Sequence, residues 1–189
     1  SGDIEAAKRE RAEQQRRDQE QREQAERRRI ERMSAAELAA EIQRLRPPRV
    51  LDLVERDQAV LKAEGERQAL QNQHTEAGSA SARARDQAEA WREAHKVQTR
   101  LHDMGIRQAP ALRELEEQRD AQRTEWQRLG PRVLDAEQRA KSARDMAHLR
   151  IQSEQAPMLA KVAELEKLRQ EKARHELEQQ KRQQAEKRA

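Results

Sequence analysis

From Val50 to Met104 the chain contains no proline, and small or apolar residues return in alternating steps of four and three: Leu70, His74, Ala77, Ser81, Ala84, Ala88, Trp91 and His95. A stripe with that spacing lies along one face of an α-helix and is the pattern by which two helices pack side by side. It returns downstream in Leu112, Leu115, Arg119, Gln122, Trp126, Leu129, Val133, Ala136, Ala140, Ala143 and Ala147. Between the two stripes, Gly105 is suited to stop one helix and Pro110 to start the next. The spacing predicts an all-α fold: an elongated antiparallel coiled-coil hairpin with polar helical extensions. Its first arm runs over 49–104, its turn over 105–109 and its return arm over 110–168.

Folding the chain back at 105–109 pairs residues whose numbers sum to about 217, which sets Trp91 against Trp126 and Ala77 against Ala140. The expected hairpin core is Trp91, Trp126, Leu101, Leu115, Leu129 and Val133, with a middle third in which alanine meets alanine and the helices approach closely. Trp is also enriched at partner hot spots, but the expected cross-hairpin pairing favours a structural role for both. Gly65 and Gly78 weaken the first arm by about 1 kcal/mol each. Pro131 and Pro157 fall inside the return arm, where a proline removes a helix hydrogen bond and crowds the preceding turn. The stripe keeps its phase from Leu129 to Val133, which predicts a kink at Pro131. It slips near Pro157 before Leu159, Val162, Leu165 and Leu168, which predicts a break there.

The flanks are polar. Residues 1–33 form a charged helix with strong helix formers, interleaved i,i+4 pairs such as Glu13 and Arg17, and almost no apolar bulk. Ser34 followed by Glu37 is a capping-box pattern that opens a short helix over 34–46, carrying Leu38, Ile42 and Leu45 and stopped by Pro47-Pro48. Residues 169–189 are polar helix or disordered tail.

Composition narrows the function. Of 189 residues, 40% are charged, none is Phe or Tyr, and two are Trp, so a large three-dimensional core is excluded. Net charge of only +4 argues against a disordered polyelectrolyte. The absence of cysteine removes thiolate metal sites and thiol nucleophiles. No apolar run approaches a membrane span, and the opening Ser1-Gly2 resembles a cloning remnant, so the chain is expected to be a piece of a longer protein. None of the five histidines has another at i+3 or i+4, the spacing a helical metal pair needs. There is no phosphate-binding loop or nucleophile elbow. The expectation is no catalytic residue, no metal, no cofactor and no small-molecule ligand.

What remains is contact with macromolecules. Arg27, Arg28 and Arg29 are candidate phosphate contacts for weak, non-specific nucleic-acid binding, although the acids interleaved with them argue against a DNA-reading basic helix. Ile106, apolar on an exposed turn, and Arg107 beside it are candidate contacts for a protein partner.

The run from Ser34 to Val60, SAAELAAEIQRLRPPRVLDLVERDQAV, with Ala90-Trp91-Arg92-Glu93-Ala94-His95 and Arg100-Leu101-His102-Asp103, resembles the region after the nuclease domain of conjugative plasmid relaxases, the mobilisation proteins of the MobA/MobL and TraI type. The resemblance spans roughly residues 30 to 130. In that family a tyrosine nucleophile and a three-histidine metal site nick plasmid DNA at the transfer origin; this chain has no tyrosine and no clustered histidines, so neither carries over. The resemblance implies a non-catalytic arm acting in the bacterial cytoplasm, with translocation during conjugation as an extension. Its partners would be relaxosome proteins or the coupling protein of a type IV secretion system. The competing expectation is a structural or receptor-binding coiled-coil hairpin of a bacteriocin or chromosome-handling protein, with binding concentrated around Ile106.

Overall fold

Strong helix formers and few breakers make the chain all-α in a computed structural model that describes residues 2–189. The elements are α1 (Gly2–Glu31), α2 (Ala35–Leu45), α3 (Val50–Arg56), α4 (Gln58–Ala94), α5 (Lys96–Asp103) and α6 (Pro110–Arg188), with no strand among the described residues. Among the described residues no helix is long and apolar enough to cross a membrane. The chain divides into two compact units, one of residues 1–47 with 154–189 and one of residues 48–153.

In the first unit, α1 has no buried residue, as its polar sequence requires. Only its end is held: Ile30 and Met33 pack on a core of Leu38, Ile42, Val162 and Leu165, with Leu45 and Leu168 at the edge. The turn from α1 to α2 is secured by two residues one turn apart on α6. Lys172 Nζ donates to the carbonyls of Ile30 (3.2 Å), Glu31 (2.6 Å) and Met33, where the helix dipole is negative. Glu176 Oε1 accepts the Ala35 N–H at 3.2 Å, where the dipole of α2 is positive. Ser34 Oγ accepts the Glu37 N–H at 3.2 Å, the N-cap bond its position predicts. Glu41, 8% exposed, is gripped by Arg44 (2.5 Å) and Arg29 (3.1 Å).

In the second unit α4 lies antiparallel to the first part of α6. Glu64 meets Arg144 at 3.0 Å, Asp57 binds Arg150, and Val60 packs with Ala147 and Ile151. Near the other end Arg92 binds Glu116. These pairs sum to about 207, not 217. At that register Ala77 lies opposite Leu129 and Leu70 opposite Ala136, so small residues face large ones and the expected alanine-on-alanine stretch does not form. The shift is about ten residues, close to three helical turns, so the same stripes still meet.

Three further expectations are corrected. Residues 49–104 are not one arm: Asp57 caps α4, accepting from the Ala59 and Val60 N–H groups, and the chain bends at His95 into α5. The two tryptophans do not face each other. Trp126 stacks on His74 with ring centroids 5.9 Å apart, its indole 3.1 Å from where a Cβ on Gly78 would stand, while Trp91 stacks on its own neighbour His95 at 4.3 Å. Thirteen residues of α4 separate Gly78 from Trp91, about 20 Å. Finally, α6 is helical through Pro131, Pro157 and the tail to Arg188. Both prolines are on exposed positions, so the carbonyls they leave unpaired, at Gln127 and Ser153, can turn to water. The expected break at Pro157 does not occur, and Gln155, two residues before it, is a buried position that a polar residue fills.

Two outcomes follow from these burials. Leu112 is fully buried and Trp126 is 41% exposed. Leu112→Ala should therefore destabilise by about 2–5 kcal/mol and Trp126→Ala by less, measured as apparent urea midpoints of the helical signal; the reverse order would restore Trp126 to the core. Glu41 is held down to about 2 from 4.5 by hydrogen bonds from Arg44 and then Arg29. Its stabilisation is complete above pH 4.5 and is lost as pH falls toward 2. Glu41→Gln should cost about 1–2 kcal/mol at pH 7, and the difference from the parent chain should vanish over that acid window in a circular-dichroism titration.

Candidate functional site

The end of the second unit, residues 91–111, gathers the unusual chemistry of the chain. His95 departs from helical geometry (φ −129°, ψ 55°) and both ends α4 and begins α5. Thr99 Oγ donates to the Arg92 carbonyl at 3.3 Å, while the Trp91 carbonyl keeps the His95 N–H at 3.0 Å and also has His95 Nδ1 3.0 Å away. A straight helix would put residues 92 and 103 about 16 Å apart; the bend brings Arg92 within 2.9 Å of Asp103. The same guanidinium binds Glu116 of α6, so one side chain joins α4, α5 and α6. Asp103 first and Glu116 second raise its pKa, and it stays cationic.

The turn after α5 closes as the glycine predicts. Gly105 has φ +72°, its N–H donates to His102 O at 3.0 Å, and Ile106 N–H donates to Leu101 O at 2.9 Å. Those two bonds are the Schellman arrangement, which needs the left-handed residue that glycine supplies without strain. His102 Nδ1 accepts the Ala109 N–H at 3.2 Å, which requires that nitrogen to be unprotonated. Pro110 then opens α6.

These bends enclose a cleft of about 290 Å³, with walls from Trp91, Leu101, Arg107, Ala109, Pro110 and Ala111. Of the expected core residues, Leu129 and Val133 are buried, at 3% and 6% exposure, whereas Trp91, Leu101 and Leu115 are half-buried. Trp91 and Leu101 thus line an opening instead of closing a core. Ile106 is 65% exposed and stands outside the cleft wall, while Arg107 is part of it. Val97 and Met104, at 73% and 64%, are equally exposed nearby. Sequence reasoning missed both because each falls within a helical stretch expected to continue the first arm.

The basic cluster at the end of α1 is not brought to this site. Arg27 and Arg28 are exposed, but Arg29 is committed to Glu26 at 2.6 Å and to Glu41. Both carboxylates raise its pKa, so it is a structural cation and not a third phosphate contact. Among the described residues no three His, Asp or Glu side chains gather as a metal site would require. Comparison with protein-family models, with curated proteins and with solved structures finds no match.

Because Arg92 binds Asp103 of α5 and Glu116 of α6 together, Arg92→Ala should loosen this end selectively. Amide exchange should accelerate over residues 96–109 and stay unchanged over 133–147, read by mass spectrometry; uniform acceleration would mean that Arg92 supports the whole unit.

Proposed function

We propose that this chain is a non-catalytic coiled-coil arm of a conjugative plasmid relaxase, making protein-protein contacts within the relaxosome or with the type IV secretion coupling protein. What supports this most is where the relaxase-like stretches fall. The run 34–60 supplies the cap of α2 (Ser34), the apolar residues Leu38, Ile42, Val54 and Val60, and the cap of α4 (Asp57). The stretches 90–95 and 100–103 supply the Trp91 and His95 stack, the Arg92 to Asp103 bridge and His102. The resembling residues are therefore those that set bends and joints, the parts of a helical arm that generic Arg/Glu/Gln-rich helix does not share. An arm of this kind has no catalytic residue, metal, cofactor or small-molecule ligand of its own, and any contact with nucleic acid is weak and salt-sensitive. It acts in the bacterial cytoplasm, and translocation with the relaxase during conjugation is an extension of the same idea.

A second reading, a receptor-binding or structural hairpin of a bacteriocin or chromosome-handling protein, is favoured by the cleft and the exposed Val97, Met104 and Ile106 at one end of the second unit. The two readings separate in a mating assay. In a relaxase that carries this segment, removing residues 34–130 should bring plasmid transfer to background while purified enzyme still nicks its transfer origin. Undiminished transfer, or a loss of nicking equal to the loss of transfer, would overturn the relaxase assignment.

A further inference from the structure

The start of α6 lacks the side chains that ordinarily close a helix N-terminus. Ala109 is its N-cap residue, since the Ala109 carbonyl accepts the Arg113 N–H at 3.0 Å, yet a methyl group accepts no hydrogen bond. The third helical residue, from which a glutamate or glutamine could reach back to the N-cap N–H, is Leu112, which is fully buried. The Ala109 N–H is therefore left to an acceptor on another element. It finds one seven residues back, in Nδ1 of His102 on α5, at 3.2 Å.

The rest of the turn is closed by groups that do not titrate. The N–H groups of Met104, Gly105, Ile106 and Arg107 donate to the backbone carbonyls of Arg100, His102 and Leu101. Only the step from the turn into α6 depends on an imidazole, and an imidazole nitrogen accepts only while it is bare; once both nitrogens carry protons, both are donors. His95, the other histidine at this end, answers a proton in the opposite way. Its Nδ1 faces the Trp91 carbonyl at 3.0 Å, a contact that a proton completes. Acid thus leaves the bend at His95 held and frees the turn at Ala109.

No ion pair fixes the charge of His102 among the described residues. Of the charged groups on the elements that meet here, Asp103 and Glu116 bind Arg92, Glu93 binds Lys96 at 3.0 Å and Glu117 binds Arg113 at 3.2 Å. Glu114, Arg100 and Arg107 are exposed to solvent. The carbonyl end of α5 favours a cation at His102 and the N–H end of α6 opposes one. These pulls are of opposite sign, and what ties the proton to the turn is the hydrogen bond.

We propose that His102 is an acid-sensitive latch on the turn between α5 and α6. Neutral, with its proton on Nε2, it accepts the Ala109 N–H and holds the start of α6 against α5; a proton on Nδ1 turns the acceptor into a donor and releases it. The bond is present above the range in which an imidazole titrates and is lost as pH falls through it. Because Ala109, Pro110 and Ala111 form part of the cleft wall, the same step loosens that wall. The latch goes beyond the arm reading and does not rest on it.

The test is heteronuclear NMR on the full chain between about pH 8 and pH 5. At the upper end the His102 ring should be the Nε2–H tautomer. Protection of the Ala109 amide, taken relative to its chemical exchange rate, should fall about fivefold on acidification, with a midpoint that coincides with the titration of the His102 ring. The Gly105 and Ile106 amides, bonded to backbone carbonyls, should keep their protection. His102→Asn places an amide oxygen where Nδ1 stood, so Ala109 should stay protected across the range, whereas His102→Ala should leave it unprotected throughout. The tautomer and the midpoint are read on the parent chain and decide the matter even where a variant fails to fold. An Nδ1–H tautomer at high pH, Ala109 protection that is constant or follows another histidine, an equal loss at Gly105 and Ile106, or an acid loss that persists in His102→Asn would each overturn the proposal.

Discussion

Everything in this chain is subordinate to a narrow apolar stripe on α6. With no Phe, no Tyr and two Trp, the buried interior is made almost entirely of aliphatic residues and alanine. Along α6, Leu112, Leu129, Val133, Ala136, Ala140, Ala147 and Ile151 serve the second unit, and Val162 and Leu165 serve the first. Other helices are short or polar and gain their burial by lying on that stripe. Such a design leaves most backbone ends and charged residues at the surface, where pairing is worth little unless several contacts converge.

Convergence is what the joints supply. Lys172 collects three carbonyls at the end of α1, Asp57 accepts two backbone N–H groups while binding Arg150, and Arg92 holds two carboxylates. Each satisfies backbone groups or charges that a bend would otherwise leave open. The apolar stripe decides which faces meet, and these polar residues decide where along the stripe they stop.

That division explains what could be read from the residues alone. The helical class, the seam positions Leu112, Leu129, Val133, Ala136, Ala140 and Ala147, the cap at Ser34 and the stop at Gly105 all follow from local chemistry, namely periodicity, a hydroxyl at an N-cap and a glycine at φ > 0. The register did not, because a slip of about ten residues, close to three helical turns, returns the same stripes to each other and periodicity is blind to it. Two signals would have corrected it: Asp57, an N-cap residue inside the supposed first arm, and the pairing of small with large residues that sets Ala77 against Leu129. The bend at His95 has no glycine or proline to announce it and depends on tertiary contacts through Arg92. Gln155 hid the continuity of α6 because a seam position was occupied by a polar residue. At the candidate site, Arg107 was legible as an exposed turn residue, but the cleft beside it was not, since it exists only once α5 turns away from α4.

The antiparallel register also limits how a lineage of such chains can change. Point substitutions among the exposed Arg, Glu and Gln residues leave the stripe untouched. Insertions and deletions do not: removing three or four residues from α4 between Gly78 and Ala94 would turn the remainder of its seam and pull Arg92 away from Glu116 unless α6 lost a matching length. Chains of this design should therefore differ in length by paired steps on the two helices, growing or shrinking like the two sides of a ladder.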